Sequence, residues 1–410
     1  MRSVAAHLEE CLELAQSLER FDAELSDAMG CVLAEPVRST IDVPLADIAA
    51  CDGYAVRAED VSRADDARAS EPTNPTRLRV TDEIFADSVE SFPHVEGTAI
   101  RIASGARMPR GADAVVPLWS TDQGAANVTI HQGVCAGENV RRRGEDVVAG
   151  DVIVEAGTRL SARHIALLAS AGWGGVVVHP APRVVVMSIG NELVAPGRAV
   201  PPGKVYDANS HALAAAVTSA GAVPYRVPAV PDTRSILREA IEDQALRADV
   251  LITTGGLSYG GGDTLKDVLL PLGSVRFDNV AMNPGHQIGA GKLEDGTLIF
   301  CLPGDPVSAL VAFEVFVRTS LCKMAGYVDL GPETVTAVAS GEFLSDDGVR
   351  DFVRVALSPD GERGFTCAPV PRGDKNLLSG LVSADGLAII PEGVTTVAPG
   401  DELECLVFQA

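Results

Sequence analysis

A glycine-rich turn between an apolar run and a helix-like segment most constrains how this chain can fold. Residues 248–257 read Ala-Asp-Val-Leu-Ile-Thr-Thr-Gly-Gly-Leu, a Ser-Tyr pair and three more glycines follow, and a helical pattern begins at Asp263. A buried strand that delivers a glycine turn to a helix start lets backbone N–H groups approach an oxyanion closely. The stretch therefore predicts a ligand loop, with Gly255, Gly256 and Ser258 as its contact residues.

Strands and helices alternate on both sides of this loop. Apolar runs at 183–189, 223–227 and 298–302 are typical of buried strands, and helical patterns over 210–220, 235–246 and up to Met324 accompany them. This order predicts a doubly wound, mostly parallel sheet with ligand loops at the carboxyl ends of its strands. Because Glu192, Asp232 and the segments 255–263 and 303–308 fall at such ends, we expect them to converge.

The remaining regions have other patterns. Residues 1–34 read as helices, with apolar residues at three- and four-residue spacing from Val4 and a second helical turn over 25–33. Short strands and turns follow to residue 143, a helix returns at 158–172, and alternating apolar residues after Gly326 indicate strands. We therefore expect an α/β multidomain protein with a helical domain (1–34 and 144–178), a β-rich inserted domain (35–143), an α/β domain (179–326) and a C-terminal small β-barrel domain (327–410).

Composition and charge narrow the class of protein. A net charge of −23 and a pI near 4.6 would repel nucleic acids and anionic membranes, so an anionic substrate needs a local positive pocket. Eight cysteines are scattered without a Cys-x-x-Cys pair, which fits reduced thiols and neither a disulfide framework nor a cysteine zinc site. The N-terminus is charged and no apolar run approaches about 18 residues. We therefore expect a cytoplasmic protein that has no signal peptide and does not span a membrane.

Carboxylates on loops are the main chemical signal. The dispersed histidines offer no Ser-His-Asp arrangement, whereas five acids lie near glycine turns, namely Asp52, Asp146, Glu192, Asp232 and Asp263. Hard oxygen ligands beside a phosphate loop suit a magnesium-dependent phosphate site, because the ion neutralises charge that the acids would repel. Each acid alone is also explained as a helix cap or a solvated turn carboxylate, and Asp52 as a simple Asp-Gly turn.

Basic and hydroxyl side chains leave further alternatives open. The run Arg141–Arg143 before Asp146 is either a solvated patch or a set of phosphate ligands. Arg354, in a strand of the C-terminal domain, and Ser379, in a loop, are candidate ligand contacts, although a strand arginine is commonly only solvated.

Several motifs recur along the chain in a distinctive order. They are Cys51–Arg57, Ala103–Pro109, Gly111–Val116, Arg141–Asp146, Ser188–Leu193, Thr253–Gly260 with Asp263 and Lys266, Pro284–Gly285, and Leu302–Ala309. In order and spacing they resemble the MoeA/gephyrin E-domain family, the molybdopterin molybdenumtransferases, over nearly the whole chain. The resemblance implies an elongated homodimer of four-domain subunits with a molybdopterin-binding α/β domain. It also implies an enzyme that hydrolyses adenylylated molybdopterin and inserts molybdate into the dithiolene with magnesium.

The resemblance also implies the positions of the ligands. It places the catalytic residues in a cleft for the adenylylated pterin and magnesium, and these residues are Asp52, Ser104, Asp146, Glu192, Asp232 and Asp263, the last three being the metal ligands. Near the molybdate it places Asn283, His286, Ser308, Arg354 and Ser379, of which the last two come from the β domain across the dimer cleft.

One departure from the family keeps a second function open. Members usually read Lys-Pro-Gly-Lys-Pro where this chain has Asn283-Pro284-Gly285-His286-Gln287, so both lysines beside the molybdate are replaced. Two cations lost opposite a dianion weaken its binding by several kcal/mol, at about 1.5 to 3 kcal/mol for each charged hydrogen bond. The alternative is a gephyrin-like dimeric scaffold that binds a short peptide of a cytoskeletal, cell-division or membrane-receptor protein, with weak or lost catalysis.

Overall fold

A computed structural model of the chain describes residues 1–61, 75–89, 93–257, 264–361, 364–370 and 377–408. Contacts divide the chain into two compact units, of which the first is Met1–Glu35, Ala156–Ser161 and Val177–Ala410 and the second is Pro36–Glu155 and Ala162–Val176. Of the segment 144–178 that we expected to join residues 1–34 in a helical domain, residues 156–161 and 177–178 fall in the first unit with 1–34, and the rest falls in the second. The finer division into four domains stays a prediction.

The fully described N-terminal segment Met1–Glu35 contains a single helix. Helix α1 (Val4–Leu14) is capped by Ser3, whose Oγ accepts a hydrogen bond from Ala6 N at 3.2 Å. The helical turn predicted over 25–33 is wrong, because strands β1 (Phe21–Glu24) and β2 (Val32–Leu33) flank this stretch. Gly30 adopts φ +82°, which interrupts a helix, and both residues of β2 are buried.

The second unit is rich in strands, as the alternating pattern predicts. Its elements are β3 (Val37–Arg38), β4 (Ile48–Ala49), β5 (Gly53–Val56), α2 (Ala58–Val61), β6 (Thr76–Ile84), β7 (Thr98–Ile102), β8 (Ala114–Pro117), a 3-10 turn (Leu118–Ser120), β9 (Asn127–Ile130), β10 (Val140–Arg141), β11 (Val152–Val154) and α3 (Ala162–Ser170). Five strands form one sheet in the order β8-β5-β7-β6-β9, and β10-β4 and β11-β3 form separate pairs. All four residues of β5 and all four of β8 are buried, so these neighbouring strands contribute to the unit's core along their whole length.

The α/β part of the first unit follows strand β12 (Gly175–His179), which lies between β1 and β2. Its elements are β13 (Arg183–Ser188), β14 (Leu193–Val194), β15 (Val205–Tyr206), α4 (Asn209–Ser219), β16 (Val223–Arg226), α5 (Arg234–Ala245), β17 (Val250–Thr254), α6 (Thr264–Leu269), β18 (Gly273–Asn279), β19 (Met282–Asn283), β20 (Gln287–Leu293), β21 (Leu298–Leu302) and α7 (Pro306–Ala312). A π-helical segment (Phe313–Val317) joins α7 to α8 (Arg318–Met324), so the predicted helix to Met324 is continuous.

The main sheet of this part has the order β16-β13-β17-β21-β20-β18. Its first four strands are parallel to one another. Strand β20 pairs antiparallel with β21, and β18 pairs antiparallel with β20. Along β13, Val184 and Val186 belong to one hydrophobic core and Val185 and Met187 to the other. A strand buried on both faces explains the unbroken apolar run. The predicted doubly wound, mostly parallel sheet is confirmed.

The C-terminal part closes into a small barrel, which confirms the predicted β-barrel domain. Its elements are β22 (Thr334–Ala339), β23 (Phe343–Leu344), β24 (Arg350–Asp360), β25 (Gly364–Pro369), α9 (Leu378–Val382), β26 (Gly386–Ile390), β27 (Thr396–Val397) and β28 (Glu402–Val407). Strands β24-β25-β22-β28-β26 pair in that order, and β24 also pairs with β26. Strand β19 extends this sheet by pairing in parallel with β24. Within the described residues, no helix has both the length and the apolar character needed to cross a membrane.

Candidate active site

A cavity of about 510 Å³ lies at the carboxyl ends of the parallel strands of the first unit. The turns after β13, β17 and β21 and the segment after β19 surround it, as we expected from the strand order. Its lining residues are Ile189, Glu192, Gly255, Gly256, Leu257, Asn283, Pro284, Gly285, His286, Gln287, Pro303, Gly304, Asp305 and Ser308. The cavity thus brings together most of the ligand residues that the sequence and the resemblance place in this unit. Ser258 and Asp263 lie outside the described residues.

Two glycines allow the turns around the cavity to pack closely. Gly255 adopts φ +89°, and a Cβ atom there would lie 2.4 Å from the carbonyl oxygen of Ile189. Gly285 adopts φ +86°, and its Cβ would lie 2.8 Å from the Cβ of Ser308. Because side chains are disfavoured in both places, the main chain itself forms this part of the wall. Such a wall lets a ligand approach backbone groups directly.

Carboxylates occupy one side of the cavity region. The turn after β13 contacts the loop after β16, because Asp232 N donates to Asn191 Oδ1 at 3.2 Å and Gly190 N donates to Val230 O at 3.1 Å. A Cβ atom at Gly190 would stand 2.6 Å from Glu192 Oε1, so glycine leaves room for that carboxylate. Asp232 Oδ1 is buried without a hydrogen-bond partner among the described residues. An orphaned carboxylate oxygen is the kind of hard ligand that magnesium prefers, although Asp232 itself is not among the residues that line the cavity.

Neutral donors and a helix start occupy the other side. Helix α7 is capped by Asp305, whose Oδ1 accepts a hydrogen bond from Ser308 N at 2.9 Å. The positive end of the helix dipole therefore adjoins the cavity, which favours an anion there. His286 is exposed and Asn283 is half-buried, and both of these residues, which the resemblance places near the molybdate, lie in the lining.

A second cavity of about 260 Å³ contains residues that the sequence analysis missed. Asp207 is buried and accepts hydrogen bonds from Ser188 Oγ at 2.7 Å and from Ser210 Oγ at 2.6 Å. Asn209 Nδ2 donates to Thr254 Oγ1 at 2.7 Å and to Gly304 O at 2.8 Å. An Asp-x-Asn-Ser sequence directly before an apolar helical pattern is a helix-start signature, and it was the available signal for these residues.

In the second unit, Asp52 does more than turn the chain. Its Oδ1 accepts a hydrogen bond from Ser104 N at 2.7 Å, and Ser104 Oγ donates to Ala50 O at 3.3 Å. The carboxylate of Asp52 therefore joins two segments that are distant in sequence, in addition to any role of Asp52 in the turn before β5. Both side chains remain exposed. Asp146 is also exposed, and its N–H donates to Val43 O at 3.0 Å.

The arginine run beside Asp146 is engaged by acids. Arg142 Nη1 lies 2.9 Å from Asp47 Oδ2, and Arg143 Nε lies 2.5 Å from Asp42 Oδ2. The hydrogen bond that Arg143 N donates holds the pKa of the Asp47 carboxyl below its usual value. Arg142 and Arg143 thus form ion pairs within the unit. These ion pairs do not decide whether the arginines are a solvated patch or phosphate ligands.

Arg354 and Ser379 lie in or beside the barrel. Arg354 is only 9% exposed, so the interpretation of a merely solvated strand arginine is wrong. Its Nη1 donates to Leu377 O at 2.6 Å, and it lines a small cavity together with Pro284 of the same chain. Ser379 is exposed and lies in α9, not in the loop that we expected.

Three models of known protein families match consecutive parts of the chain. Residues 2–172 match the MoeA N-terminal region (domain I and II), residues 185–323 a probable molybdopterin binding domain, and residues 336–408 the MoeA C-terminal region (domain IV).

Curated relatives and a solved structure agree with these matches. The chain is 38% identical to molybdopterin molybdenumtransferase 2 of Mycobacterium tuberculosis, with 98% of this chain and 99% of the relative covered. It is 35% identical to the molybdopterin molybdenumtransferase of Nostoc sp., with 95% and 89% covered. A crystal structure of the molybdopterin biosynthesis MoeA protein from Pyrococcus horikoshii matches with a TM-score of 0.78 and 31% identity, covering 100% of this chain and 99% of that chain. The prediction of a transferase of molybdenum cofactor biosynthesis is confirmed, and the chain belongs to the MoeA family of molybdopterin molybdenumtransferases.

Proposed function

We propose that the protein hydrolyses adenylylated molybdopterin and inserts molybdate into its dithiolene in a magnesium-dependent reaction. The observation that carries this proposal is the cavity of about 510 Å³, which combines carboxylates, glycine turns, neutral donors and a helix start. A substrate with phosphate and oxyanion groups needs such donors, because the net charge of −23 disfavours anions elsewhere.

Glu192 and Asp232 would hold the magnesium ion in this proposal, with Asp263 as a third ligand. The buried Asp232 Oδ1, which has no hydrogen-bond partner among the described residues, supports this assignment. When bound, the ion would neutralise phosphate charge near the carboxylates.

The chain's own residues bind and orient the substrate. The glycine turn at Gly255 and Gly256 brings main-chain groups next to the phosphates, and the start of α7 favours their negative charge. Asn283 and His286 donate hydrogen bonds to the molybdate in place of two lysines, while Ser308 supports the same segment. Neutral donors bind an oxyanion less tightly than ammonium groups do, so we expect weak molybdate binding.

The proposal extends to residues outside the cavity lining. It assumes a homodimer, and it assigns Asp52, Ser104, Asp146, Arg354 and Ser379 to the complete substrate site. Within the second unit, the hydrogen bond that Ser104 N donates to Asp52 Oδ1 supports a common role for these two residues.

An assay of the full-length protein tests the proposal. Purified protein with magnesium should release AMP from adenylylated molybdopterin, and Asp232→Asn should lower the rate by at least about a hundredfold, because it removes a ligand charge. Asp243→Asn, an exposed acid on α5, is the matched control and should leave the rate unchanged. Absence of AMP release and of molybdate binding by the wild-type protein would exclude this function.

A groove in the first unit supports a second candidate function, that of a gephyrin-like scaffold that binds a short peptide. A cavity of about 770 Å³ lies between α1 and the barrel, with Val4, Leu8, Phe352, Ile389 and Leu406 among its lining residues. Glu333 and Glu404 line it as well. An apolar groove with acidic residues suits a short peptide that carries apolar and basic side chains.

A peptide-display experiment distinguishes the scaffold from the enzyme. Short peptides with apolar and basic side chains should bind the wild-type protein. They should not bind the variant Leu8→Arg, because the arginine side chain fills the groove. The control variant Glu9→Arg, on the exposed side of α1, should bind them as the wild type does. Full transferase activity together with no peptide that depends on Leu8 would rule the scaffold out.

A further inference from the structure

A cluster of charged and polar groups joins helix α1 to strand β18, away from the cavities described above. His7 and Glu10 lie one turn apart on α1, so they share a face of the helix. Asp278 reaches the same point from β18, and the donor atoms of these three residues all lie within 4.8 Å of one another. The family function as proposed above uses none of them.

His7 is the unusual member of this cluster. It is 1% exposed, and both of its ring nitrogens are buried without a hydrogen-bond partner among the described residues. The ring is fixed by an edge-to-face contact with Phe316, with centroids 4.9 Å apart. Burial lowers the pKa of His7 from its ordinary value of 6.5, against the opposing effect of Asp278. A neutral imidazole is the form that binds metals.

The spacing of the donor atoms matches a metal site better than a hydrogen bond. His7 Nδ1 lies 3.4 Å from Asp278 Oδ2, in an orientation that does not make a hydrogen bond. Two ligands that are each about 2.1 Å from a tetrahedral zinc ion stand about 3.4 Å apart. Glu10 supplies a second carboxylate, and its 25% exposure leaves room for a water molecule as fourth ligand. We propose that His7, Glu10 and Asp278 form a binding site for a divalent transition-metal ion of the Zn²⁺ type.

Arg2 competes with the ion for the same carboxylates. Its Nη1 contacts Glu10 and lies 2.9 Å from Asp278 Oδ2. The main chain of Arg2 is fixed, because Arg2 N donates to Asn279 O at 2.9 Å and Ala281 N donates to Arg2 O at 2.7 Å. The side chain is 22% exposed and has a path to solvent, so it leaves the cluster without disturbing the backbone. The guanidinium is thus an internal cation that the metal replaces.

A bound ion would cross-link two parts of the first unit. It would tie α1, which packs against α8, to the antiparallel edge of the main sheet at β18. Metal binding to a site that exists only in the folded chain stabilises the fold by mass action. The inference does not depend on the proposed function, because no residue of the cavities takes part.

Cobalt titration of the full-length protein, first stripped with a chelator, tests the site. Arg2→Gln should bind one Co²⁺ with visible absorption bands that Zn²⁺ abolishes, and it should bind at least about tenfold more tightly than the wild type. In the Arg2→Gln background, His7→Leu keeps an apolar residue in the core and should weaken binding by at least about tenfold. Glu10→Gln, at a partly exposed position, should do the same without altering the core. His211→Ala removes an exposed histidine of α4 and is the matched control, with unchanged affinity.

Thermal unfolding provides a second readout. Zn²⁺ should raise the melting temperature of Arg2→Gln and should not raise that of the double variant Arg2→Gln, His7→Leu. Arg276 Nε also lies 2.9 Å from Asp278 Oδ1, on the carboxylate oxygen that Arg2 does not contact. Equal Co²⁺ affinity with and without His7, or no saturable Co²⁺ binding by Arg2→Gln, would overturn the proposal and leave the two arginines as the cations that pair with Asp278.

Discussion

The two cavities that share Glu192 in their lining are built in different ways. The smaller one is shaped by buried side chains, Asp207 and Asn209, that hydrogen-bond to the sheet and to the start of α4. The larger one includes Gly256 and Gly285, two glycines with positive φ that do not line the smaller one, and its residues Asn283 and His286 are half-buried or exposed. We infer that Asp207 and Asn209 maintain the fold, whereas the side chains at positions 283 and 286 can change with little effect on it.

The strongest test of this contrast is Asp207→Ala. It removes a buried carboxylate and leaves Ser188 and Ser210 with unsatisfied hydroxyls, so the free energy of unfolding should fall by about 3 kcal/mol. Urea denaturation followed by circular dichroism measures it. Asp243→Ala, an exposed acid on α5, is the control and should change stability by less than about 0.5 kcal/mol. A small effect of Asp207→Ala would mean that the two cavities do not differ in this way.

The backbone of the larger cavity should be nearly as sensitive. Gly255→Ala forces a side chain into φ +89° and against Ile189 O, so unfolding should become easier by about 2 kcal/mol. Gly304→Ala is the neighbouring control, because its Cβ would meet no atom closer than 3.5 Å. Equal stability of the two variants, measured by urea denaturation, would contradict a main-chain origin for the wall.

Thr254→Val tests the hydrogen bonds of one hydroxyl group in the smaller cavity. Thr254 Oγ1 accepts from Asn209 and donates to Pro303 O at 2.7 Å, and both bonds are lost in the variant. We expect a loss of about 1.5 kcal/mol in calorimetric stability. Thr253→Val is the matched control, since Thr253 Oγ1 makes a long 3.4 Å hydrogen bond with Phe300 O and otherwise contacts the thiol of Cys301, which is a weak hydrogen-bonding group. If both variants lose the same stability, the Asn209 network contributes little.

Replacing Asn283 and His286 together with lysine should have the least effect on stability, below about 0.5 kcal/mol. Two ammonium groups should nevertheless raise molybdate affinity by about a hundredfold or more, because each charged hydrogen bond to the dianion adds at least about 1.4 kcal/mol. Isothermal calorimetry and molybdate insertion measure both effects. Thr218→Lys with Ser235→Lys adds the same charge at exposed positions of α4 and α5 and controls for the change in net charge. Unchanged affinity would favour the scaffold or a different anion.

Local patterns predicted the parts of the fold that depend on neighbours in sequence. Strand β21 lies where the apolar run 298–302 predicts it, and the strand-end rule places Glu192 and Gly255 in one cavity. The prediction of a helical turn over 25–33 was wrong. The spacing of its apolar residues suits a helix, but residues 32–33 pair as strand β2 with the distant strand β12. Burial of Arg354 could not be foreseen either, since it requires the pairing of β24 with β26.

The roles of buried polar residues were the hardest to predict. Asp207 and His7 look like ordinary helix-start and helix-face residues in the sequence, and only the packing of distant elements shows what surrounds them. Hydrogen bonds between segments far apart in sequence leave no local periodicity, so neither spacing nor charge patterning could identify them.

The pairing of β19 with β24 has a consequence for how this family can diversify. Asn283 aligns with Asp351 of the barrel, so main-chain hydrogen bonds hold residue 283 whatever its side chain. The neighbouring His286 also uses its carbonyl, which accepts from Val280 N at 2.7 Å. Charge at these two positions can therefore be exchanged while the backbone stays in place, so the segment tolerates engineering of its side chains.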